Sequence, residues 1–411
     1  MKRVLIIGGG PSGFTTAIMA KNENTEVKIL ERNSSALKKL LMTGNGKCNY
    51  SNASYSSLNY HSTNMEKVEE FIRKENLLEV TKFFDFLGIV PKVKNGCYYP
   101  FSMQASTVKN ALEYAAFSRG VDVVTNCLVS KIQKEDHGFS VLCNGERMEC
   151  DVLVLACGSK AYPKTGSDGM GYSFLTNMGH TVIPPVPALV QLIGEENYFK
   201  KWDGVRSDVS LELFENGKLL SKSSGEIQLT SYGLSGICVF DLSHDVSRGL
   251  LENKKEVIKI NFVPFTEDFS SWLDNYSKKH VDKNLQELLE GFLNYKLVSV
   301  ILEESSLSGK AFYEKLSEKE KNVLCQNLES FSVPIVDTKG FDDCQVCNGG
   351  VSLSEVSLSN MESLKVKDLY IVGELLDING NCGGYNLTTC WISGVLAGKS
   401  IGEEHDSSKG N

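Results

Sequence analysis

The stretch that decides the fold is "RVLIIGGGPSGFTTAIMA", residues 3–20. "RVLII" reads as a short buried strand, and "FTTAIMA" continues as a helix. Between them lies Gly8-x-Gly10-x-x-Gly13. A second strand, "EVKILE" at 26–31, closes on the carboxylate Glu31. Strand, glycine turn, helix and acidic strand end together form the dinucleotide-binding fingerprint, with Glu31 close to the expected ~20 residues further on. Gly8 allows the tight turn, Gly10 lets backbone approach a pyrophosphate, and Gly13 lets helix pack on strand. The helix start offers unpaired N–H groups to phosphate. Glu31 can accept hydrogen bonds from the adenosine ribose. Pro11 and Ser12 inside the turn, and Arg32 beyond Glu31, join the candidate cofactor residues.

The far end of the chain chooses between dinucleotides. "LYIVGELLDINGNCGGYNLTTCWISG", residues 369–394, reads as strand, Gly-acidic step, Gly-rich loop and helix. FAD is long, and an N-terminal dinucleotide domain must find partners for ribityl and isoalloxazine elsewhere. Glu374 and Asp377 are candidates for the ribityl hydroxyls. Gly383, Gly384, Tyr385 and Asn386 would bring backbone and a helix start to the flavin pyrimidine, where reduction builds negative charge. FAD is therefore the expected cofactor.

The composition, 41% hydrophobic and 23% charged, is that of an ordinary globular protein. A net charge of −8 argues against nucleic acid as partner. Three glycines and a proline interrupt the apolar N-terminus, so it does not read as a signal peptide. No apolar run reaches the ~20 residues that span a bilayer. The expectation is a cytoplasmic chain without a membrane partner. Twelve cysteines are scattered without a framework, so most are expected as buried thiols. Cys344-Gln-Val-Cys347 has no second pair to complete a metal site, and no metal is expected.

Helical patterns cover Met65–Arg73, Leu77–Leu87 and 104–119, and "VDVVTNCLVSKI" reads as one strand ending at Val129 and beyond. Pro184, Pro185 and Pro187 mark a boundary. Past it come strand-like runs with Asn216-Gly217 as a hairpin turn. Residues 267–328 are helical, with Asp282 as one cap and Ser317-x-x-Glu320 as a capping box. The expected fold is α/β: a Rossmann-type FAD-binding domain from both chain ends (1–185 and 345–411), an inserted β-barrel-like domain (186–266 and 329–344), and a helical subdomain (267–328). The tail 403–411 reads as disordered.

Six ordered segments, "GGGPSG", "KKLLMTGNGKCN", "ACGSKAYPKTGSDGMGY", "VPALVQL", "GEIQLTSYGLSG" and "GELLDINGNCGGYN", resemble the bacterial aminoacetone-oxidase-like FAD-dependent oxidoreductases. That group includes bile-acid enone reductases. The resemblance implies that Lys39, Thr43, Asn45, Cys48 and Asn49 lie along the FAD. It also implies that Val129 meets adenine through its backbone and that the chain passes the cofactor at Gly158. Lys47 stands where many relatives carry Arg, replacing a bidentate grip with a point charge. Tyr162, Lys164, Ser167 and Asp168 follow on a loop that also reads as plain surface.

No second dinucleotide domain is legible, so NADH or NADPH would dock transiently as co-substrate. The leading expectation is an NAD(P)H-linked reductase of an organic small molecule, with a conjugated C=C of a 3-oxo bile-acid or steroid enone as the candidate acceptor. The alternatives are an oxidase of a small amine and a non-catalytic or RNA-directed flavoprotein. No proton donor stands out, and the oligomeric state is open.

Overall fold

In the computed structural model, residues 1–403 are described; of the tail 403–411 expected as disordered, Glu403 ends the last helix and the rest lies outside the described residues. The chain divides into two compact units: Met1–Val186 with the chain from Gln345 onward, and Pro187–Cys344.

The first unit is built on a five-stranded sheet. Its strands lie in the order Leu369–Ile371, Val152–Leu155, Lys2–Ile7, Thr25–Leu30, Asp122–Val124. All four pairings are parallel. Lys2–Ile7 is central, with Val4 opposite Val152 on one side and Val27 on the other. Its last four residues are buried, as a strand covered on both faces requires. The helix Pro11–Ala20 follows it, and the chain's last helix, Tyr385–Glu403, packs against that helix.

This pairing of first and last helices rests on missing side chains. A Cβ at Gly394 would come 2.7 Å from Thr15 Cβ, and one at Gly398 2.4 Å from Met19 Cβ. Gly402 lies one turn further along the same face, 3.5 Å from Met19 O. Glycines four residues apart let two backbones approach where larger residues would hold them off. The spacing is plain in the sequence, yet motif reading alone does not bring it out. Trp391 anchors the same helix one turn earlier, fully buried and donating from Nε1 to Tyr50 O at 2.9 Å.

Several expectations change. "VDVVTNCLVSKI" is two strands in different sheets, Asp122–Val124 and Val129–Lys134. Asn126, at φ +52°, turns the chain between them. Val129 therefore opens the second strand and does not end the first. Cys127 and Cys143 are joined as a disulfide, with Cα atoms 5.8 Å apart; their spacing did not single them out. The proline run lies in the ribbon strand Val182–Ala188, paired with Val346–Val351.

In the second unit, Asn216 and Gly217 form the hairpin turn between Arg206–Glu215 and Lys218–Thr230, both at positive φ. The seven strands there form no hydrogen-bonded ring among the described residues. Its outermost strands, Phe331–Ile335 and Asp337–Thr338, are separated only by Val336. The sheet must curl until those edges meet, without pairing. The helices at 267–328 share one core with it: Leu285, Leu297 and Leu324 are buried with Leu211, Ile227 and Ile258. Asp282 caps nothing. Asn284 does, with Glu287 completing a capping box, and Asn294 caps a separate helix, Tyr295–Glu304.

Candidate functional site

In a parallel sheet of this order, ligands bind beyond the carboxyl ends of the strands, where successive connections leave in opposite directions. Here that point lies between Lys2–Ile7 and Val152–Leu155. Gly8 follows the first at φ +113°, and a Cβ there would lie 2.3 Å from Ala156 O. A Cβ at Gly13 would lie 2.1 Å from Gly8 O. Both glycines are demanded by protein packing. Gly10 differs: its φ of −87° suits any residue, and a Cβ would meet nothing within 4 Å. It caps the helix without any side-chain bond, and Pro11 occupies the first helical position. The first-turn N–H groups thus face open space at the positive end of a helix.

Glu31 is buried. Its Oε2 accepts from Gly9 N at 2.9 Å, and its Oε1 accepts from Asn33 N and Asn33 Nδ2, both at 2.7 Å. A carboxylate offers about four lone-pair sites, so capacity for one more donor remains. Arg32 turns away, its guanidinium on Asp168 and Gly166 O. Asp168 thereby has a structural partner in the loop that read as plain surface. The segment before Val129 runs beside Glu31: Asn126 N and Cys127 N donate to Asn33 O and Glu31 O, each at 2.9 Å. Gly158, at φ +73°, sits where a Cβ would meet Ser167 Oγ at 2.6 Å.

Three distant motifs converge on one carboxylate. Lys39 Nζ lies 2.6 Å from Glu374 Oε2, and Ser159 Oγ donates to the same oxygen at 3.1 Å. Tyr172 OH donates to Glu374 O at 3.3 Å. Gly373, at φ +72°, abuts the N-terminal turn, where a Cβ would come 2.4 Å from Ser12 Oγ. Ser159 and the Ser12–Gly373 contact were not foreseen; pairs this far apart in sequence leave no local signal.

The remaining candidates hold loops. Thr43 Oγ1 closes the short helix Lys38–Met42 by donating to Leu40 O at 2.7 Å. Asn45 is exposed at φ +53°. Cys48 is fully buried, and burial pushes its thiol up to about 12, which makes it a poor thiolate. Asp377 turns inward and grips the loop at 62–63: Oδ2 accepts from Thr63 N at 2.9 Å, from Thr63 Oγ1 and from Ser62 Oγ. Asn386 clasps Gly380 with both amide atoms, at 2.8 and 2.7 Å. A Cβ at Gly384 would meet Asn49 Oδ1 at 2.7 Å, and one at Gly383 the Tyr385 ring at 2.8 Å. Gly383 is required by packing within its own loop, and Gly384 by packing of that loop against residues 49–51. Tyr385 packs edge-on to Tyr60, ring centroids 5.5 Å apart.

The residues present fit a dinucleotide: open space at Gly10, an uncapped helix start, and a spare acceptor site on Glu31. Fold and site define a Rossmann-fold oxidoreductase of the FAD-dependent class. The chain belongs to the HI0933-like family, matching the HI0933-like protein Rossmann domain over residues 2–400. It is 37% identical over 409 residues to the 3-dehydro-bile acid delta(4,6)-reductase of Clostridium scindens, covering 98% of this chain and 100% of that one. It is 25% identical to the ribosomal RNA dihydrouridine synthase of Escherichia coli, covering 95% of each. The fold also resembles the 3-ketosteroid-delta4-(5alpha)-dehydrogenase of Rhodococcus jostii, with a TM-score of 0.52 at 13% identity, covering 98% of this chain and 97% of that one. No helix among the described residues is long and apolar enough to cross a membrane.

Proposed function

We propose that this chain binds FAD non-covalently and uses NADH or NADPH to reduce a C=C bond conjugated to a carbonyl, in a 3-oxo bile-acid or steroid enone. The observation that carries this reading is the end-to-end similarity, at 37% identity, to a reductase of that substrate class. The names of the two relatives describe related chemistry: a delta(4,6) 3-oxo steroid and a uridine each carry a C=C in conjugation with a carbonyl. That shared chemistry favours a reductase over the amine-oxidase alternative.

In this reading the N–H groups after Gly10 hold the pyrophosphate, Glu31 takes the adenosine ribose, and Glu374, steadied by Lys39 and Ser159, takes the ribityl chain. The start of Tyr385–Glu403 places a positive helix end at the pyrimidine edge. FAD, when bound, would supply hydride transfer between nicotinamide and substrate. Lys39, Thr43, Asn45, Cys48, Asn49, Val129, Gly158 and Asp377 shape or line the cofactor channel. Residues 186–344 set the choice of substrate, and the protein works in the cytoplasm.

The similarity to an RNA-directed enzyme supports a second reading, in which uridine in RNA is the acceptor; the net charge of −8 weighs against it. Anaerobic stopped-flow separates the three. NADH or NADPH should bleach the ~450 nm band of oxidised flavin. A 3-oxo-4,6-diene bile acid should then restore it faster than air does. Restoration by unmodified ribosomal RNA alone would establish the second reading. Bleaching by a small amine, with both nicotinamides inert, would establish an oxidase.

A further inference from the structure

The second compact unit holds a carboxylic acid that the cofactor site does not use. Glu256 opens the strand Glu256–Asn261 in the interior of the seven-stranded sheet. It stands opposite Glu215 on one neighbouring strand and Ile335 on the other. The residue is 2% exposed, and neither carboxyl oxygen has a hydrogen-bond partner. Its place is made by Gly249, near the end of the helix Ile237–Leu251: a Cβ there would come 1.8 Å from Glu256 Oε1.

The charged groups around it come from three elements. Glu215 faces it from the adjacent strand, with Oε1 3.0 Å from Lys254 Nζ. Lys254 is also 2.8 Å from Glu252, so its charge is divided between two other carboxylates. Asp245 faces it from the helix and accepts from Ser221 Oγ at 2.8 Å. A carboxylate buried without a donor, with two acids for neighbours, relieves the cost by keeping its proton.

We propose that Glu256 is a proton-linked switch in this unit: the fold carries it as the neutral acid, and its ionisation loosens the end of the helix from the sheet. Burial, then the charge of Glu215, pushes the carboxyl up from an ordinary 4.5 to about 7, with Lys254 opposing and Asp245 adding to the rise. A folded value above the unfolded one means the stabilisation is full below about 4.5. It is lost progressively as pH rises toward about 7, and the loss is complete above that.

The test is hydrogen exchange of backbone amides at 247–258 in the intact, flavin-loaded protein, for wild type and Glu256→Gln, from about pH 5 to about pH 8.5. Comparing the two at each pH cancels the intrinsic pH dependence of exchange. The wild-type rate should gain on the variant by up to about tenfold per pH unit until about pH 7, then level off. In Glu215→Gln the levelling should move to lower pH, since a like charge has been removed. Wild-type and Glu256→Gln curves that run parallel overturn the proposal. Should Glu256→Gln not fold, infrared difference spectra of wild type decide. A protonated-carboxyl C=O band that titrates away near neutral pH supports the switch, and the lack of one overturns it.

Discussion

Replacing Gly10 and Gly13 one at a time separates a glycine kept for a ligand from one kept for the fold. At Gly10 the backbone is extended and a Cβ meets nothing within 4 Å. Gly10→Val should therefore leave the flavin-free protein as stable as wild type. The gain through the unfolded chain, about 0.4–1 kcal/mol for Gly→Ala at unstrained sites, offsets the poorer capping by valine at this N-cap position. Its isopropyl group would fill the space proposed for pyrophosphate, so most of the flavin should be lost. At Gly13 a Cβ falls 2.1 Å from Gly8 O, and normal contact requires a retreat of roughly 1 Å. Overpacking of that kind costs about 1–3 kcal/mol. Alanine's helix propensity returns about 1 kcal/mol, leaving a net loss of about 0–2 kcal/mol. At roughly 2–4 °C per kcal/mol, Gly13→Ala should melt up to several degrees below wild type. The assay is flavin absorbance per polypeptide after purification, with thermal melts of stripped protein. Full flavin occupancy in Gly10→Val, or a stripped Gly10→Val that melts well below Gly13→Ala, would refute the reasoning.

Gly398→Leu should lower the melting temperature and the flavin content together, because the first and last helices meet at Gly398 and both carry proposed cofactor contacts; unchanged flavin affinity in a destabilised variant would show that the helix starts are held independently. His180 gives a pH prediction of opposite sign to Glu256. Ser363 Oγ already accepts from Lys365 N and Val366 N, so its proton goes to His180 Nε2 at 2.7 Å, leaving Nδ1 to donate to Leu175 O. That arrangement requires a neutral ring, and burial holds the imidazole below its ordinary 6.5. Stability should fall as pH drops below about 6.5, and His180→Gln should flatten that acid limb in thermal melts; an unchanged limb would remove His180 as its cause.

The sequence by itself determined the ligand class. A glycine turn between strand and helix, a strand of four apolar residues and a carboxylate at the next strand end are local demands, and local demands leave local patterns. It also marked 369–394 as a second strand–glycine–helix segment. Tertiary structure decided how the two ends are joined. Gly394, Gly398 and Gly402 fit against Ser12, Thr15, Thr16 and Met19, and Gly373 fits against Ser12. These are conditions on pairs more than 360 residues apart, and neither member shows its partner. Tertiary structure also sorted the candidates that motif reading grouped together. Glu374 receives Lys39 and Ser159, whereas Asp377 Oδ2 and the Asn386 amide bond to neighbouring segments of the chain. A side chain's residue type names the bonds it can make, but only the packed chain decides which donors come within 3 Å of it.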